Sequence, residues 1–173
     1  MAFLFSSQRT AIVAAAVMAL LTLAACDPQR ISELQPGIST EADVRDRFGA
    51  PDNVWTEPGG ERTFEYNRQP AGQVNYMITL GADGRMTAVR QVLTPENFAR
   101  VTPGMRMDEV RRLLGKPAKV TPYELKQDTW ADWRFQQDPN QAMVFTAIYG
   151  PDHIVLRTQS GPDTDAPEFK GGK

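Results

Sequence analysis

The sequence contains two residues with distinctive chemistry, a single cysteine and a single histidine among 173 residues. Cys26 cannot form an intramolecular disulfide bond, so in an exported chain it is a free thiol, half of an intermolecular bridge or a modified residue. His153 follows Asp152 in a predicted hairpin turn, where such a pair is more often solvated than catalytic. We therefore expect no catalytic residues, no metal site and no cofactor, and hence a protein that is not an enzyme.

The residues before Cys26 indicate that its thiol is acylated. After Arg9, the run from Ala11 to Ala25 is uncharged and largely apolar. It is shorter than the roughly 20 residues of a membrane-spanning helix and is typical of a signal peptide. The run ends in Leu-Ala-Ala-Cys, which resembles the bacterial lipobox, where the thiol forms a thioether with diacylglycerol. The sequence thus predicts a signal peptide over residues 1–25 and a lipidated Cys26 that anchors the protein to a bilayer.

Two alternatives concern this anchor. An uncleaved N-terminal segment with an inert cysteine is disfavoured because the chain turns polar at Asp27. Aspartate directly after the lipidated cysteine also resembles the inner-membrane retention signal of enteric bacteria. Pro28 is not a typical strengthening partner for that signal, so the choice of membrane stays open.

The overall charge argues against nucleic acid as a partner. The chain has 19 basic and 21 acidic residues, and its formal net charge is −2. The basic residues form no stripe or cluster of the kind that binds nucleic acid or anionic lipid.

The rest of the chain contains a degenerate internal repeat. Pro36-Gly37 and Gly49-Ala50-Pro51 in the first copy match Pro103-Gly104 and Gly115-Lys116-Pro117 in the second. Further matches pair Phe64 with Trp133 and Tyr66 with Phe135. We predict a first unit over residues 26–93, including the tether, and a second unit over residues 94–159. Residues 160–173 are rich in Gly, Pro, Asp and Lys, which predicts a disordered tail.

Each copy predicts two short helices followed by three strands. Ile38, Val44 and Phe48 share one helical face, and Gly49 suits the helix end. The period then changes to two between Val74 and Leu80, followed by a turn at Asp83-Gly84. The predicted fold class is α+β, with tandem ααβββ repeats. Each repeat is a three-stranded antiparallel meander with two short helices on one face.

This combination resembles a known family. A lipobox cysteine, a helix-Pro-Gly-helix ending in hydrophobic-Gly-x-Pro and a three-stranded meander resemble the BamE (SmpA/OmlA) family of outer-membrane lipoproteins. The tandem ααβββ arrangement also resembles the secreted β-lactamase-inhibitor protein fold. The resemblance covers about residues 31–158 and implies an outer-membrane location, with barrel-assembly components as partners. A typical BamE protein has one such unit, so the duplication is a departure.

The two copies differ on the sheet face that the helices leave uncovered. In the first copy this face is predicted to carry Glu65, Asn75 and Thr79. In the second copy it becomes more apolar and carries Trp130, Val144 and Ile148, beside Arg134. An uncovered apolar face is typical of a partner surface, so these three apolar residues are the candidate partner-binding residues. The alternative is that they pack against the first copy.

The leading interpretation is a non-enzymatic, periplasm-facing lipoprotein that binds other envelope proteins in outer-membrane protein assembly or envelope integrity. The alternative is an inhibitor or ligand-binding module that acts through the open sheet face. The purified protein would bind its target unaided in the second case, whereas the first requires membrane partners.

Overall fold

The computed structural model describes residues 27–137 and 139–166. The predicted signal peptide over residues 1–25, the predicted lipidation site Cys26 and residues 167–173 of the predicted tail lie outside these residues.

The first unit consists of two short helices followed by a four-stranded antiparallel sheet. Helix α1 spans Asp27–Ser32 and helix α2 spans Glu41–Phe48. The strands follow one another in space as they do along the chain. They are β1 (Asn53–Thr56), β2 (Arg62–Asn67), β3 (Asn75–Leu80) and β4 (Met86–Gln91).

The second unit repeats this order of elements. Helix α3 spans Pro95–Ala99 and helix α4 spans Met107–Leu114. The strands again form a four-stranded antiparallel sheet in sequence order. They are β5 (Lys119–Tyr123), β6 (Asp128–Gln137), β7 (Gln141–Tyr149) and β8 (Val155–Pro162).

The predicted fold class is wrong. The described chain is mostly β, with two four-stranded antiparallel sheets and a few short helices, instead of tandem ααβββ units with three strands each. The strand that the prediction omits follows the Gly-x-Pro motif in each unit, as β1 and β5. Both are edge strands of four or five residues, so they have one neighbour each, and β5 tolerates Pro122 because an edge strand needs fewer backbone donors.

The predicted start of a disordered tail at residue 160 is also wrong for residues 160–166. Strand β8 continues to Pro162, which pairs with Met143 of β7. Beyond it, the N–H of Asp163 donates to the carbonyl of Ala142 at 3.0 Å, and Ala166 is buried. Pairing with β7 orders this segment although its composition is polar.

Local signals explain where the longer helices begin and end. Thr40 caps α2 in a capping box, because its hydroxyl accepts from the Asp43 N–H and the Asp43 carboxylate accepts from the Thr40 N–H at 2.8 Å. The helix ends at Gly49, which has a φ of 82°, a conformation that glycine adopts without strain. Gly115 ends α4 in the same way, with a φ of 77°.

The sheet of the first unit is covered on both faces. One face packs on α1 and α2 in a core of buried side chains, which are Leu34, Val44, Phe48, Phe64, Tyr66, Tyr76, Ile78, Leu80 and Met86. The opposite face contributes Met77 to the core of the second unit, which includes Val110 and Leu114 of α4. All six residues of β3 are therefore buried. The layers alternate as helices, sheet, helices and sheet.

Polar contacts join the two units. Glu65 of β2 is fully buried, and its carboxylate accepts a hydrogen bond of 2.9 Å from the Lys116 N–H. The Asn75 amide donates to the carbonyls of Leu114 and Lys116 at 2.8 and 3.1 Å. The prediction that Glu65, Asn75 and Thr79 form an exposed face is wrong, because all three are buried. The end of α4 and the turn after it bond to Glu65 and Asn75, and the Thr79 hydroxyl contacts Thr63 and Arg90 of the first sheet.

The structure also corrects the alignment of the two copies. The Tyr66 hydroxyl donates to the Gly49 carbonyl at 3.1 Å, and the Trp133 indole N–H donates to the Gly115 carbonyl at 2.9 Å. Each of these two residues thus binds the glycine that ends the second helix of its unit. Tyr66 therefore corresponds to Trp133, two residues away from the partner that the sequence alignment gives it. With this shift, Phe64 corresponds to Ala131.

Candidate functional site

The described chain begins with a residue that is fixed to the folded body. Asp27 starts α1, and its carboxylate forms a bidentate ion pair with Arg68, with distances of 2.7 and 3.1 Å. The hydrogen bond that Arg68 donates to Asp27 raises the pKa of the guanidinium above its usual value. Helix α1 has no fully buried residue, but its Ile31 is partly buried against the first core, so this pair and Ile31 connect α1 to the first unit.

The predicted partner-binding residues lie on the face of the second sheet that points away from α3 and α4, which we call the outer face. Trp130 of β6 lies opposite Ile148 of β7, and Arg134 lies opposite Val144. Their neighbours Ala131, Trp133 and Phe145 point the other way, into the core. The structure thus brings Trp130 and Ile148 together and places Val144 further along the same face.

Ile148 is buried although it belongs to neither core. Its side chain is 0% exposed, and Arg157 of β8 lies opposite it on the side away from β6. Trp130 is half-buried and donates its indole N–H to Asp128 at 3.2 Å. The accessible residues of the predicted patch are therefore Trp130 and Val144. Ile148 is on the same face but is not accessible to a partner.

The sequence prediction missed aromatic and apolar residues beside Trp130. The ring of Tyr123 lies 5.0 Å from that of Trp130, and the Lys126 ammonium lies 5.8 and 5.6 Å from the two rings. Leu125, in the turn between β5 and β6, is fully exposed. The apolar and aromatic residues around this turn could have indicated the surface. They do so only once β5 is known to be a strand, because β5 places Tyr123 beside Trp130. We call Tyr123, Leu125 and Trp130 the aromatic corner.

The Val144 end of the outer face borders on the first unit. The Gln69 side chain donates to the Arg134 carbonyl at 2.7 Å and accepts from its N–H at 3.3 Å. The Arg134 guanidinium also binds Asp163 at 2.6 Å. These contacts bound a groove of about 210 Å³. It is lined by Pro70, Ala118, Lys119, Asp132, Arg134, Val144, Asp163 and Asp165. The outer face therefore meets the first unit at this end.

A second concavity opens beside α4, on the inner side of the second sheet. It has a volume of about 330 Å³, near the lower end of the range for small-molecule sites. Its lining consists of Met107, Arg111, Lys116, Pro117, Ala118, Lys119, Val120, Ala131, Trp133 and Tyr149. We call this space the α4 cavity. Apolar side chains dominate the wall, and the three charged residues are all cationic.

Two buried polar atoms without a hydrogen-bond partner belong to residues that line the α4 cavity. They are the Nε atom of Arg111 and the hydroxyl of Tyr149. Tyr149 is 0% exposed, and burial raises the pKa of its hydroxyl above the usual range. Buried polar groups normally have partners, but both atoms are enclosed by protein, so neither is open to a ligand in the cavity.

The residues around His153 have structural roles in a turn. His153 is exposed with a φ of 61°, and its carbonyl accepts from the Met107 N–H at 3.1 Å. The Asp152 carboxylate accepts from the Ile154 N–H at 3.2 Å. Within residues 27–137 and 139–166, no group of three or more His, Cys, Asp or Glu residues is placed to hold a metal ion. No helix in the same ranges has the length and apolar character needed to span a membrane.

Comparisons with known proteins give distant structural neighbours. No family model and no curated protein matches the chain. A DUF4309 family protein (YjgB) from Bacillus subtilis is 16% identical, with 75% of this chain and 82% of that chain covered and a TM-score of 0.29. A "putative beta-lactamase inhibitor protein" from Streptococcus mutans is 10% identical, with coverage of 71% and 82% and a TM-score of 0.34.

These neighbours include the inhibitor-protein half of the predicted resemblance, and neither is described as a BamE protein. Both TM-scores lie below 0.5.

Proposed function

We propose that this chain is a lipid-anchored protein of the bacterial cell envelope that faces the periplasm and acts by binding other envelope proteins. It is not an enzyme in this proposal, and its role is in outer-membrane protein assembly or envelope integrity. The outer membrane is the proposed location, with the inner membrane as the alternative because of Asp27. The resemblance to BamE makes components of the barrel-assembly machinery the first partners to test.

One observation carries this proposal. Asp27, the residue directly after the lipobox cysteine, lies in helix α1, and Arg68 holds it in place through two short contacts. Since an extended chain spans only about 3.5 Å per residue, acyl chains on Cys26 would leave the body no free tether. The protein would sit against the bilayer and meet partners that are themselves in or at the membrane.

The aromatic corner is the proposed contact surface. Exposed aromatic and apolar side chains are the residue types that dominate binding energy at interfaces. Around them, Lys119, Lys126 and Arg157 form no ion pair among the described residues. The surface therefore fits a partner protein that presents apolar side chains flanked by carboxylates.

Site-specific photocrosslinking in intact cells tests the proposed surface. A photoreactive phenylalanine analogue replaces Tyr123 in the aromatic corner, and the control carries the same analogue at Ala42, an exposed residue of α2. We expect an envelope protein to be crosslinked from position 123 and not from position 42. Equal crosslinking at both positions, or none from position 123, would count against a partner surface on the outer face.

The same experiment separates the alternative function. An inhibitor or ligand-binding module would bind its target through the outer face without membrane components. If the crosslinked protein is a soluble enzyme, and the two purified proteins bind each other, the inhibitor hypothesis would replace the envelope-assembly proposal.

A further inference from the structure

A groove opens where the two units meet. It has a volume of about 430 Å³, within the usual size range of binding sites, which often lie at such junctions. The first sheet contributes one wall, and α3, α4 and the loop between them contribute the other. The lining residues are Met77, Arg90, Val92, Asn97, Arg100, Met105, Glu109, Arg112 and Leu113. We call this space the junction groove.

The floor of the junction groove is apolar. Met77 and Val92 belong to the buried core, and Met105 and Leu113 are partly buried against it. Methionine side chains are unbranched and flexible, so they adapt to partners of different shapes. The floor therefore suits an apolar side chain without requiring one exact shape.

Three arginines from three different elements line the same groove. Arg90 lies in β4, Arg100 caps the end of α3, and Arg112 lies in α4. All three side chains belong to exposed residues. They are well separated along the chain, so the fold collects positive charge that the sequence disperses.

Two of these guanidinium groups have no anionic partner among residues 27–137 and 139–166. Arg90 donates a hydrogen bond to the Thr79 hydroxyl at 3.3 Å, and Arg100 donates one to the Asn97 side chain at 3.1 Å. Since a guanidinium group has several further N–H donors, both arginines retain donors for carboxylate oxygens.

The other two charged residues of the lining are already engaged. Arg112 forms an ion pair with Glu57 at 3.0 Å. The Glu109 carboxylate accepts from the Arg106 N–H at 2.7 Å in the capping box of α4. Three arginines against Glu57 and Glu109 leave the groove a net positive charge, and its unpaired cations are Arg90 and Arg100.

Comparison of the two units shows that α4 differs from α2 where it lines the groove. Arg112 and Leu113 are the sixth and seventh residues of α4, whereas Asp46 and Arg47 hold these places in α2. The helix at the junction therefore has a guanidinium in place of a carboxylate and an apolar side chain in place of a cation. Both differences favour an occupant that is acidic and apolar.

We infer that the junction groove binds a short acidic segment of a partner protein. Its carboxylates pair with Arg90 of the first unit and Arg100 of the second, and its apolar side chain lies on the methionine-lined floor. Arginine pairs with carboxylates through parallel hydrogen bonds and is enriched at protein interfaces. This surface goes beyond the proposed function, because it lies at the junction of the units and not at the aromatic corner.

Fluorescence anisotropy with short rhodamine-labelled peptides tests the inference. The probe has the sequence Glu-Glu-Leu-Leu-Glu-Glu, with both ends blocked. One control peptide has glutamine in place of every glutamate, and the other has serine in place of both leucines. The full chain is purified in phosphatidylcholine nanodiscs, or from the soluble fraction if it carries no lipid, so the result does not depend on the anchor.

Both control peptides should bind about tenfold more weakly than the probe, or not at all. The glutamine peptide loses the hydrogen bonds between charged groups, and the serine peptide loses the apolar area that the leucines bury on the floor.

Matched arginine substitutions connect the binding to the groove. Arg90→Gln and Arg100→Gln should each weaken binding of the probe about tenfold, because each removes hydrogen bonds to a carboxylate. Arg157→Gln, which removes an exposed arginine of β8, should leave it unchanged. All three residues are exposed, so the variants should remain folded, and circular dichroism verifies this.

Binding of the probe that is weakened by Arg90→Gln and Arg100→Gln, and not by Arg157→Gln, supports the inference. Absence of binding at millimolar probe, equal binding of the glutamine peptide, or equal weakening by Arg157→Gln would overturn it. Vesicles of phosphatidylcholine and phosphatidylglycerol test the other occupant. If they bind in a manner that requires Arg100 and the probe does not bind, the groove faces an anionic membrane and the inference is wrong. The crosslink from position 123 would be unaffected by these results, so the proposed function stands or fails separately.

Discussion

The buried carboxylate of Glu65 in the first sheet accepts a hydrogen bond of 2.9 Å from the backbone N–H of Lys116 in the second unit. The same carboxylate accepts from the Trp55 indole at 3.2 Å and from the Asn67 amide at 2.8 Å. A charged side chain thus lies between two sheets, with its acceptor sites used by donors from both units. This arrangement makes the two units dependent on each other.

We predict that Glu65→Leu destabilises the chain by about 3 kcal/mol, because the donors around the carboxylate would remain buried without partners. The measurement is the free energy of unfolding in urea. Glu61→Leu, at an exposed residue just before β2, should change it by less than about 0.5 kcal/mol. Similar losses in both variants would show that the junction contributes nothing specific.

The burial of Glu65 and Asn75 could not be predicted from the sequence pattern within one unit. The alternation of apolar and polar residues along β2 and β3 correctly places Phe64 and Ile78 on one face and their polar neighbours on the other. Phe64 and Ile78 do belong to a core. The partners of the polar set come from Leu114 and Lys116, about 40 to 50 positions away. Their burial depends on how the units stack, which the pattern within one unit does not contain.

The repeat itself was recognisable, but its register was not. Pro-Gly and Gly-x-Pro align because both motifs fix the ends of helices. A constant offset of 69 residues pairs Phe64 with Trp133, whereas the hydrogen bonds of Tyr66 and Trp133 to Gly49 and Gly115 show the true correspondence. The short edge strands β1 and β5 were missed because four or five residues after a proline give little periodic signal.

Acid should weaken the first unit through Glu41. Hydrogen bonds from Arg62 and Arg45 lower the pKa of Glu41 below 4.5, so its stabilising effect is complete above that value and is lost as the pH falls through the lowered pKa. The wild type should therefore be more stable than Glu41→Gln at pH 7, by less than about 1 kcal/mol because the pair is partly exposed. This advantage should shrink below about pH 4.5.

Urea midpoints of both proteins between pH 7 and pH 3 provide the measurement. Glu61→Gln serves as the control for removing an exposed glutamate. A difference between wild type and Glu41→Gln that stays constant down to pH 3 would show that the ion pairs with Arg45 and Arg62 do not stabilise the fold.

The start of the body should loosen when Arg68 is replaced. Arg68→Ala removes both contacts to Asp27 and leaves the partly buried Ile31 to hold α1 against the first core. We expect hydrogen exchange in residues 27–32 to rise about fivefold, as for a helix that loses about 1 kcal/mol of local stability. Arg30→Ala, in the same helix, should cause a smaller change. Unchanged exchange in Arg68→Ala would mean that the ion pair does not fix the chain beside Cys26.

Two tryptophans three residues apart should respond differently to the same substitution. Trp133 is 1% exposed and lies in the core, so Trp133→Ser should cost about 4 kcal/mol of unfolding free energy. Trp130 is half-buried on the outer face, so Trp130→Ser should cost about 1 kcal/mol and leave the protein folded. A folded Trp130→Ser variant that still yields the full crosslink from position 123 would remove Trp130 from the proposed partner surface.

The lipid anchor at Cys26 is the central claim, since it places the body at a membrane and makes envelope proteins its neighbours. Metabolic labelling with an alkyne-tagged palmitate tests it most directly, by comparing the wild type with Cys26→Ala in a bacterial host. We predict a labelled wild-type protein in the membrane fraction and an unlabelled Cys26→Ala variant. A wild-type protein that takes up no label and is recovered in the soluble fraction would contradict the account.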